Sequence, residues 1–267
     1  MGTITLLTLF VLQSNTFSGL FDRRNVITLQ RVPSTNEYLK DKLSKSTPLP
    51  EGTVIMAVDQ YAGKGQQGTV WESEPGSNLT FSLLLRPSFL DPKHQFRLTV
   101  AISTALAQGL EALLRLPVAI KWPNDLYIGD RKIGGILIEN ILAGTHWKSA
   151  IIGIGINVNQ TTFAPAIRER ATSVKQILQR DTDLTALMAD LCRQIAHTYE
   201  ALKAGAQHTQ LTYYQQHLYR RGELHPFLVD GVRVDGVLTG VTETGRLQLN
   251  FNGYVVDFDI KEVAFVR

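Results

Sequence analysis

Three lysines close apolar, strand-like runs: Lys64 in GKGQQG, Lys121 in VAIKW and Lys132 in RKIGGILIE. A single lysine at a strand end ordinarily keeps its ammonium in water and guards the sheet edge against pairing with another chain. Three of them on strands of one sheet would instead converge on one rim, where they would draw anionic groups together. The segment GIGINVN, residues 153–159, ends another strand in small residues and an asparagine, a composition that lets a ligand come close to the backbone.

Around Lys64 the glycines Gly63, Gly65 and Gly68 obey the spacing G-x-G-x-x-G. A dinucleotide site with that spacing needs a strand before the loop and a helix opening at it, because the helix N-terminus supplies donors to the pyrophosphate. The strand is present, as TVIMAVDQ at 53–60, but Pro75 and Gly76 follow too soon for a crossover helix. A glycine loop running into a second extended segment still turns backbone N–H groups toward an anion, so the loop suits a phosphate or carboxylate rather than a dinucleotide.

The elements that must position these groups alternate after residue 25. NVITLQRV has the pattern of a strand, and PSTNEYLKDKL that of a helix start, with Ser34 or Thr35 as N-cap and Glu37 in capping-box spacing. In NLTFSLLLRP the residues Leu79, Phe81, Leu83 and Leu85 share one face at period two. Residues 98–116 carry Ile102, Leu106, Leu110 and Leu113 at helical spacing, and 183–203 place Leu184, Leu187, Leu191, Ile195, Tyr199 and Leu202 on one stripe, with Cys192 beside it. VAIKW, KIGGILIENIL and WKSAIIGIGINVN are separated by short turns, which suit antiparallel neighbours because parallel strands need a longer crossover. The expected architecture is α+β: a mixed or antiparallel sheet with helices on one face. From about residue 219 the texture changes to short alternating segments bounded by Asp-Gly, Thr-Gly and Asn-Gly, the pattern of a small all-β domain. The expected division is an extension over 1–25, a catalytic unit over 26–218 and a small β domain over 219–267.

A chain of 267 residues with 44% hydrophobic content can bury a core in each unit. A net charge of +3, without a basic run, fits anionic small molecules and falls short of a nucleic-acid footprint. The lone Cys192 excludes an internal disulfide and a cysteine metal cluster, and it fits a reducing compartment, the cytoplasm. The histidines lack metal-ligand spacing; His197 and His208 are expected on helix surfaces. MGTITLLTLFVLQSN is apolar, yet it has no basic residue ahead of it, no small-residue cleavage pattern and too little length to span a bilayer, so no membrane role is expected.

Taken together, STN at 34–36, GKGQQGTVW at 63–71, KWPNDLY at 121–127, RKIGGILIE at 131–139 and GIGINV at 153–158 resemble the biotin protein ligases in order and approximate spacing. The resemblance runs from about Val26 to the C-terminus, and the KWPND and GGIL block is its most specific part. It implies a biotinyl/lipoyl transferase-like catalytic domain followed by an SH3-like barrel. The implied reaction joins biotin to ATP as biotinyl-5′-AMP, with Mg²⁺ on the nucleotide. Biotin then passes to a lysine of the biotin carboxyl carrier protein of acetyl-CoA carboxylase. Ser34, Thr35, Asn36 and Gln60 then correspond to the lining of the biotin head, and Gly63, Lys64, Gly65 and Gln66 to the loop over its tail. Lys132 corresponds to the lysine at the reacting carboxylate, with Lys64 and Lys121 as further cations, and Asn124 and Asn157 fall near the nucleotide. Trp71 is a wall of that pocket or part of the core.

The glycine loop departs from the pattern. Family loops commonly carry arginines in the form G-R-G-R-x-G-R, whereas this chain has Lys64, Gln66, Gln67 and Thr69 at those places. Arginine's bidentate fork has no copy in lysine or glutamine, so either a looser hold on the adenylate or a nucleotide site that leans more on Lys121 and Lys132 is expected. The rival readings are a lipoate ligase, which shares fold and chemistry, and a non-catalytic ligand-binding module. About 25 residues precede the first catalytic strand, too few for a helix-turn-helix, so DNA binding is not expected. Pairing of two copies through a sheet edge, as in relatives, stays open.

Overall fold

The computed structural model describes residues 19–45 and 49–266. The apolar stretch expected as an extension lies outside these in residues 1–18. Its continuation does not hang free, because Phe21 is buried in the main core.

Strand β1 (Val26–Val32) leads into helix α1 (Thr35–Ser44) and returns as β2 (Val54–Gln60), parallel to β1. A short ribbon of β3 (Gly63–Lys64) and β4 (Val70–Trp71) follows, then β5 (Leu79–Leu85) and helix α2 (Phe96–Leu114). Strands β6 (Ala119–Lys121), β7 (Asp125–Ile128), β8 (Arg131–Ala143) and β9 (His146–Ile156) complete a seven-stranded sheet in the order β1-β2-β5-β9-β8-β7-β6. Among the described residues only the β1–β2 pair of this sheet is parallel, and it is the one joined by a helical crossover; the hairpin-linked strands are antiparallel, as their short turns require.

Period-two alternation sorts the side chains of β5. Leu79, Phe81, Leu83 and Leu85 enter the main core beneath α2 and the later helix α4 (Leu184–Lys203). Leu84 points the other way and packs with Ile55, Ile151 and Leu39 of α1. Helices therefore cover both faces of the sheet, and the expectation of helices on one face is corrected: α1 is the crossover of a parallel pair and must lie on one side, while α2 and α4 lie on the other. Leu39 is fully buried and anchors α1, so Leu39→Ala should cost about 2–5 kcal/mol and loosen the helix end that carries residues 34–36.

Two short helices, α3 (Val174–Leu178) and α5 (Gln207–Gln216), flank α4, and β10 (Leu224–Val229) opens the C-terminal sheet. With β11 (Val232–Val241), β12 (Leu247–Phe251), β13 (Tyr254–Phe258) and β14 (Val263–Phe265) it forms an antiparallel sheet in the order β13-β12-β11-β10-β14. Among the described residues no pairing joins β13 to β14, so the hydrogen bonding is that of a sheet and not of a closed ring. Asp230–Gly231 and Asn252–Gly253 all have positive φ, the backbone that two-residue hairpins need. This sheet is tied to the rest: Trp122 Nε1 donates to the Gly245 carbonyl at 2.9 Å, and Arg97 pairs with Glu243 at 3.1 Å.

Candidate active site

A cleft of about 980 Å³ opens between the large sheet, the β3–β4 ribbon and the C-terminal sheet. Ser34, Thr35, Asn36, Gln60, Lys64, Gly65, Gln66, Trp71, Lys121, Asn124 and Lys132 all line it. The three lysines line one cleft but not from one sheet: Lys121 and Lys132 belong to the seven-stranded sheet, whereas Lys64 lies on the separate β3–β4 ribbon, because the glycine loop folds back on itself instead of joining that sheet. Two expected residues do not reach its wall. Gly63 carries the ribbon, paired with Trp71, and a Cβ there would lie 2.4 Å from the Trp71 carbonyl oxygen. Asn157 is buried; its Nδ2 donates to the Thr172 carbonyl at 3.0 Å and its backbone N–H to the Ile133 carbonyl at 2.8 Å. Its side chain braces residues 170–172 against β8 instead of facing a nucleotide.

One end of the cleft is built from neutral hydrogen-bonding groups. Ser34 is extended, at φ −153° and ψ 132°, and its Oγ accepts from the Glu37 backbone N–H, starting α1 where the capping spacing predicts. The next two residues point back into the sheet. Gln60 Oε1 accepts from the Thr35 N–H at 2.9 Å and from its hydroxyl at 3.2 Å. Ser82 Oγ lies 2.7 Å from Thr35 Oγ1 and 2.6 Å from Asn36 Oδ1, and Asn36 Nδ2 donates to Glu139 at 2.9 Å. Ser82 is fully buried and Thr35 and Asn36 nearly so, which makes each of these bonds costly to break. Gly153 makes room for the chain: a Cβ there would sit 2.6 Å from Asn36 Oδ1.

The other end holds the charge. Lys132 Nζ pairs with Asp125 at 2.7 Å, both about one-third exposed or less, and stands 5.9 Å from the Trp71 ring centroid. Trp71 in turn lies flat on Gly155, where a Cβ would come within 2.4 Å of its ring; this places it as a wall of the cleft. Its indole N–H has no protein partner. Lys64 pairs with Glu37, which holds its ammonium above the usual lysine range, chiefly through that hydrogen bond. Glu37 therefore serves the loop and does not reach back to close the capping box. Lys121 lies against the rings of Phe265, Tyr127 and Tyr219 at 4.8, 5.2 and 5.6 Å. Asn124 is buried in the turn, with its Nδ2 donating to the Ile136 carbonyl.

Sequence reasoning missed Ser82, Glu139 and Asp125. Ser82 had a signal: it falls on the opposite face of β5 from the apolar set, so a small hydroxyl within a run of leucines marks a polar contact. Asp125 has the sequence context of a turn former, yet it sits opposite Lys121 in register and reaches Lys132 on the next strand. Among the described residues no group of three or more His, Cys, Asp or Glu side chains is arranged to hold a metal, and no helix is long and apolar enough to cross a membrane.

A model of the Biotin/lipoate A/B protein ligase family matches residues 28–157, the stretch that contains nearly all of the seven-stranded sheet. The chain is 42% identical over 149 residues to the bifunctional ligase/repressor BirA of Bacillus spizizenii, across 55% of this chain and 45% of that protein. The BirA of Escherichia coli is 28% identical over 247 residues, 92% of this chain and 75% of its own length. The chain thus spans under half of the first relative and three-quarters of the second. A biotin protein ligase from Aquifex aeolicus, solved in complex with biotin and ATP, superposes with a TM-score of 0.76 at 28% identity, covering 91% of this chain and 99% of that one. The likeness to that structure extends past residue 157 into the C-terminal part.

Proposed function

We propose that the chain is an ATP-dependent biotin protein ligase, with residues 26–218 as its catalytic unit and 219–267 as a smaller β domain beside the cleft. The observation that carries this reading is the continuity of the cleft, with a neutral hydrogen-bonding end and a cationic end in one cavity. A ureido ring needs matched donors and acceptors, which Thr35, Asn36 and Gln60 present at the cleft wall; the dithiolane of lipoate offers nothing for them to bond, which favours biotin over lipoate. Relatives named as biotin protein ligases, one solved with biotin and ATP, support the same choice.

In the proposed reaction a biotin carboxylate oxygen attacks the α-phosphorus of ATP and pyrophosphate leaves. A lysine amine of a biotin carboxyl carrier protein then attacks the acyl carbon of biotinyl-5′-AMP, forming an amide, releasing AMP and losing a proton. The obstacle to the first step is charge: each pair of unit negative charges at 4 Å repels by about 4 kcal/mol at an effective dielectric near 20. Lys132 is the cation assigned to the reacting carboxylate. In the free protein Asp125 holds it beside Trp71, at the junction of the two ends, so it is already in place when substrate arrives. Lys121 and Lys64 would face the phosphates, with Mg²⁺ carried in on the nucleotide and backbone N–H groups of the loop contributing. Asn124 stays near the nucleotide as a cleft residue, while Asn157 acts by bracing. A buried Cys192 with its thiol pushed up by burial suits the cytoplasm, where carrier protein and ATP are found.

The test is transfer. Purified protein, Mg-ATP and a biotin carrier domain are incubated with biotin or with lipoate, and the carrier's mass is read. A biotin-sized gain with biotin alone is expected; a lipoyl gain of equal rate would assign the chain to lipoate.

A further inference from the structure

The bonded groups at the neutral end of the cleft come from four elements: Gln60 on β2, Thr35 and Asn36 on α1, Ser82 on β5 and Glu139 on β8. Each hydroxyl among them has a single hydrogen to give, so the line has a direction. Glu139 sets it. A carboxylate only accepts, so Asn36 turns Nδ2 toward Glu139, at 2.9 Å, and Oδ1 toward Ser82, at 2.6 Å. The Leu137 carbonyl favours the same orientation from the longer distance of 3.4 Å. The one hydrogen of the fully buried Ser82 goes to Asn36 Oδ1, so Ser82 can only accept from Thr35 Oγ1 at 2.7 Å. The Thr35 hydrogen is thereby drawn inward, to Ser82 or to Gln60 Oε1 at 3.2 Å, and Thr35 Oγ1 turns lone pairs to the cleft. Gln60 Oε1 also accepts from the Thr35 N–H at 2.9 Å, which leaves its amide nitrogen, beside Gly63, as the donor end.

Reversing the Asn36 amide would undo this. With Nδ2 facing Ser82, the Ser82 hydrogen would pass to Thr35, and Thr35 would have its own hydrogen to offer the cleft. We propose that Glu139 is a positioning residue that makes Thr35 an acceptor, so that this end of the cleft demands a ligand with a ring N–H and rejects one with a bare oxygen in its place. This rests on the ligase reading above and gives it a selectivity rule: a cyclic urea over a cyclic carbamate of the same shape. The discrimination is strong because a buried oxygen facing a second oxygen is left without its bond. Glu139 stands behind the cleft wall, which Asn36 and Leu137 form at that point, and it acts on the ligand only through Asn36, Ser82 and Thr35.

The experiment measures pyrophosphate release from Mg-ATP by the full chain, with biotin and with its two carbamate analogues, in each of which one ring N–H is replaced by oxygen. Glu139→Gln, which can donate as well as accept, should narrow the biotin-to-carbamate ratio of kcat/KM on the order of tenfold for one analogue, with the KM for ATP unchanged. Lys40→Met, which removes only the ion pair to Glu139 at 3.6 Å, should keep the wild-type ratio. Glu139→Ala serves if Glu139→Gln fails to fold, and thermal unfolding is followed throughout. A Glu139 variant that keeps the wild-type ratio for both analogues, whatever it loses in stability or rate, would show a merely structural role. A Lys40→Met protein with the narrowed ratio would assign the effect to the ion pair. Either result would overturn the positioning role while leaving the ligase reading intact. Wild-type protein that releases no pyrophosphate with biotin would overturn both.

Discussion

The two ends of the cleft solve different problems with different chemistry. Beneath α1 the buried, neutral Thr35, Ser82 and Asn36 are bonded in a chain that runs from the half-buried Gln60 to the partly exposed carboxylate of Glu139. The cleft lysines are partly exposed and each has neighbours of its own: Glu37 of α1 for Lys64, Asp125 for Lys132 and aromatic rings for Lys121. The first arrangement is rigid because breaking any bond strands a polar atom away from water. The second is adjustable because exposed ion pairs exchange partners at little cost. Selectivity for the acid therefore belongs to the buried chain, and the rate of joining it to a nucleotide belongs to the cations.

The largest expected effect on that contrast comes from Gly153→Val. Its side chain would overlap Asn36, forcing the buried chain apart; overpacking of this kind costs about 1–3 kcal/mol, and biotin affinity should fall on the order of a hundredfold while ATP binding holds, as calorimetry would show. Next is Asn36→Ala, which leaves Ser82 only Thr35 as a partner and removes a donor from Glu139. It should cost about 1–3 kcal/mol of stability in denaturant titration and raise the biotin KM about tenfold, again without touching the KM for ATP. Equal effects on both substrates from either variant would erase the division between the two ends.

Smaller effects are expected where groups are exposed. Lys64→Ala should leave the melting temperature unchanged and speed release of biotinyl-5′-AMP a few-fold, since its ion pair with Glu37 lies in water. An adenylate release rate in the wild type no faster than that of a relative with an arginine loop would remove the expectation of a looser hold. The smallest is a pH effect at the far rim. Burial, outweighing the Val266 hydrogen bond and joined by Arg220 and Lys121, lowers the His225 pKa below 6.5. With the folded value below the unfolded one, its contribution is complete above pH 6.5 and is lost as pH falls through the folded value. His225→Gln should flatten the slope of stability between pH 7 and 5.

Much of this was legible in residue patterns, and the failures have physical causes. Pro75 and Gly76 excluded a helix after the glycine loop, and β4 is extended there. Ser34 marked the start of α1, and the short turn around Gly144 gave the antiparallel pair β8 and β9. The face on which α1 lies was not legible, because a ten-residue helix with a buried Leu39 has the same period on either side of a sheet. Strand β7 was hidden between two turns, where four residues are too few for alternation to show. The convergence of lysines was inferred from strand ends, but their partners were not, since Asp125, Glu37 and Phe265 reach them only through register and long-range packing. Asn157 misled because an asparagine ending a glycine-rich strand fits a ligand and a brace equally well; burial decided for the brace.

The central claim is that Lys132 permits two acids to approach. Pyrophosphate release from Mg-ATP, dependent on added biotin, measures that step for wild type and Lys132→Ala under one set of conditions, with thermal unfolding to show that both are folded. The account predicts a loss of about a hundredfold to a thousandfold or more in the variant, the scale of a removed transition-state donor. A folded Lys132→Ala protein that keeps the wild-type rate would contradict it.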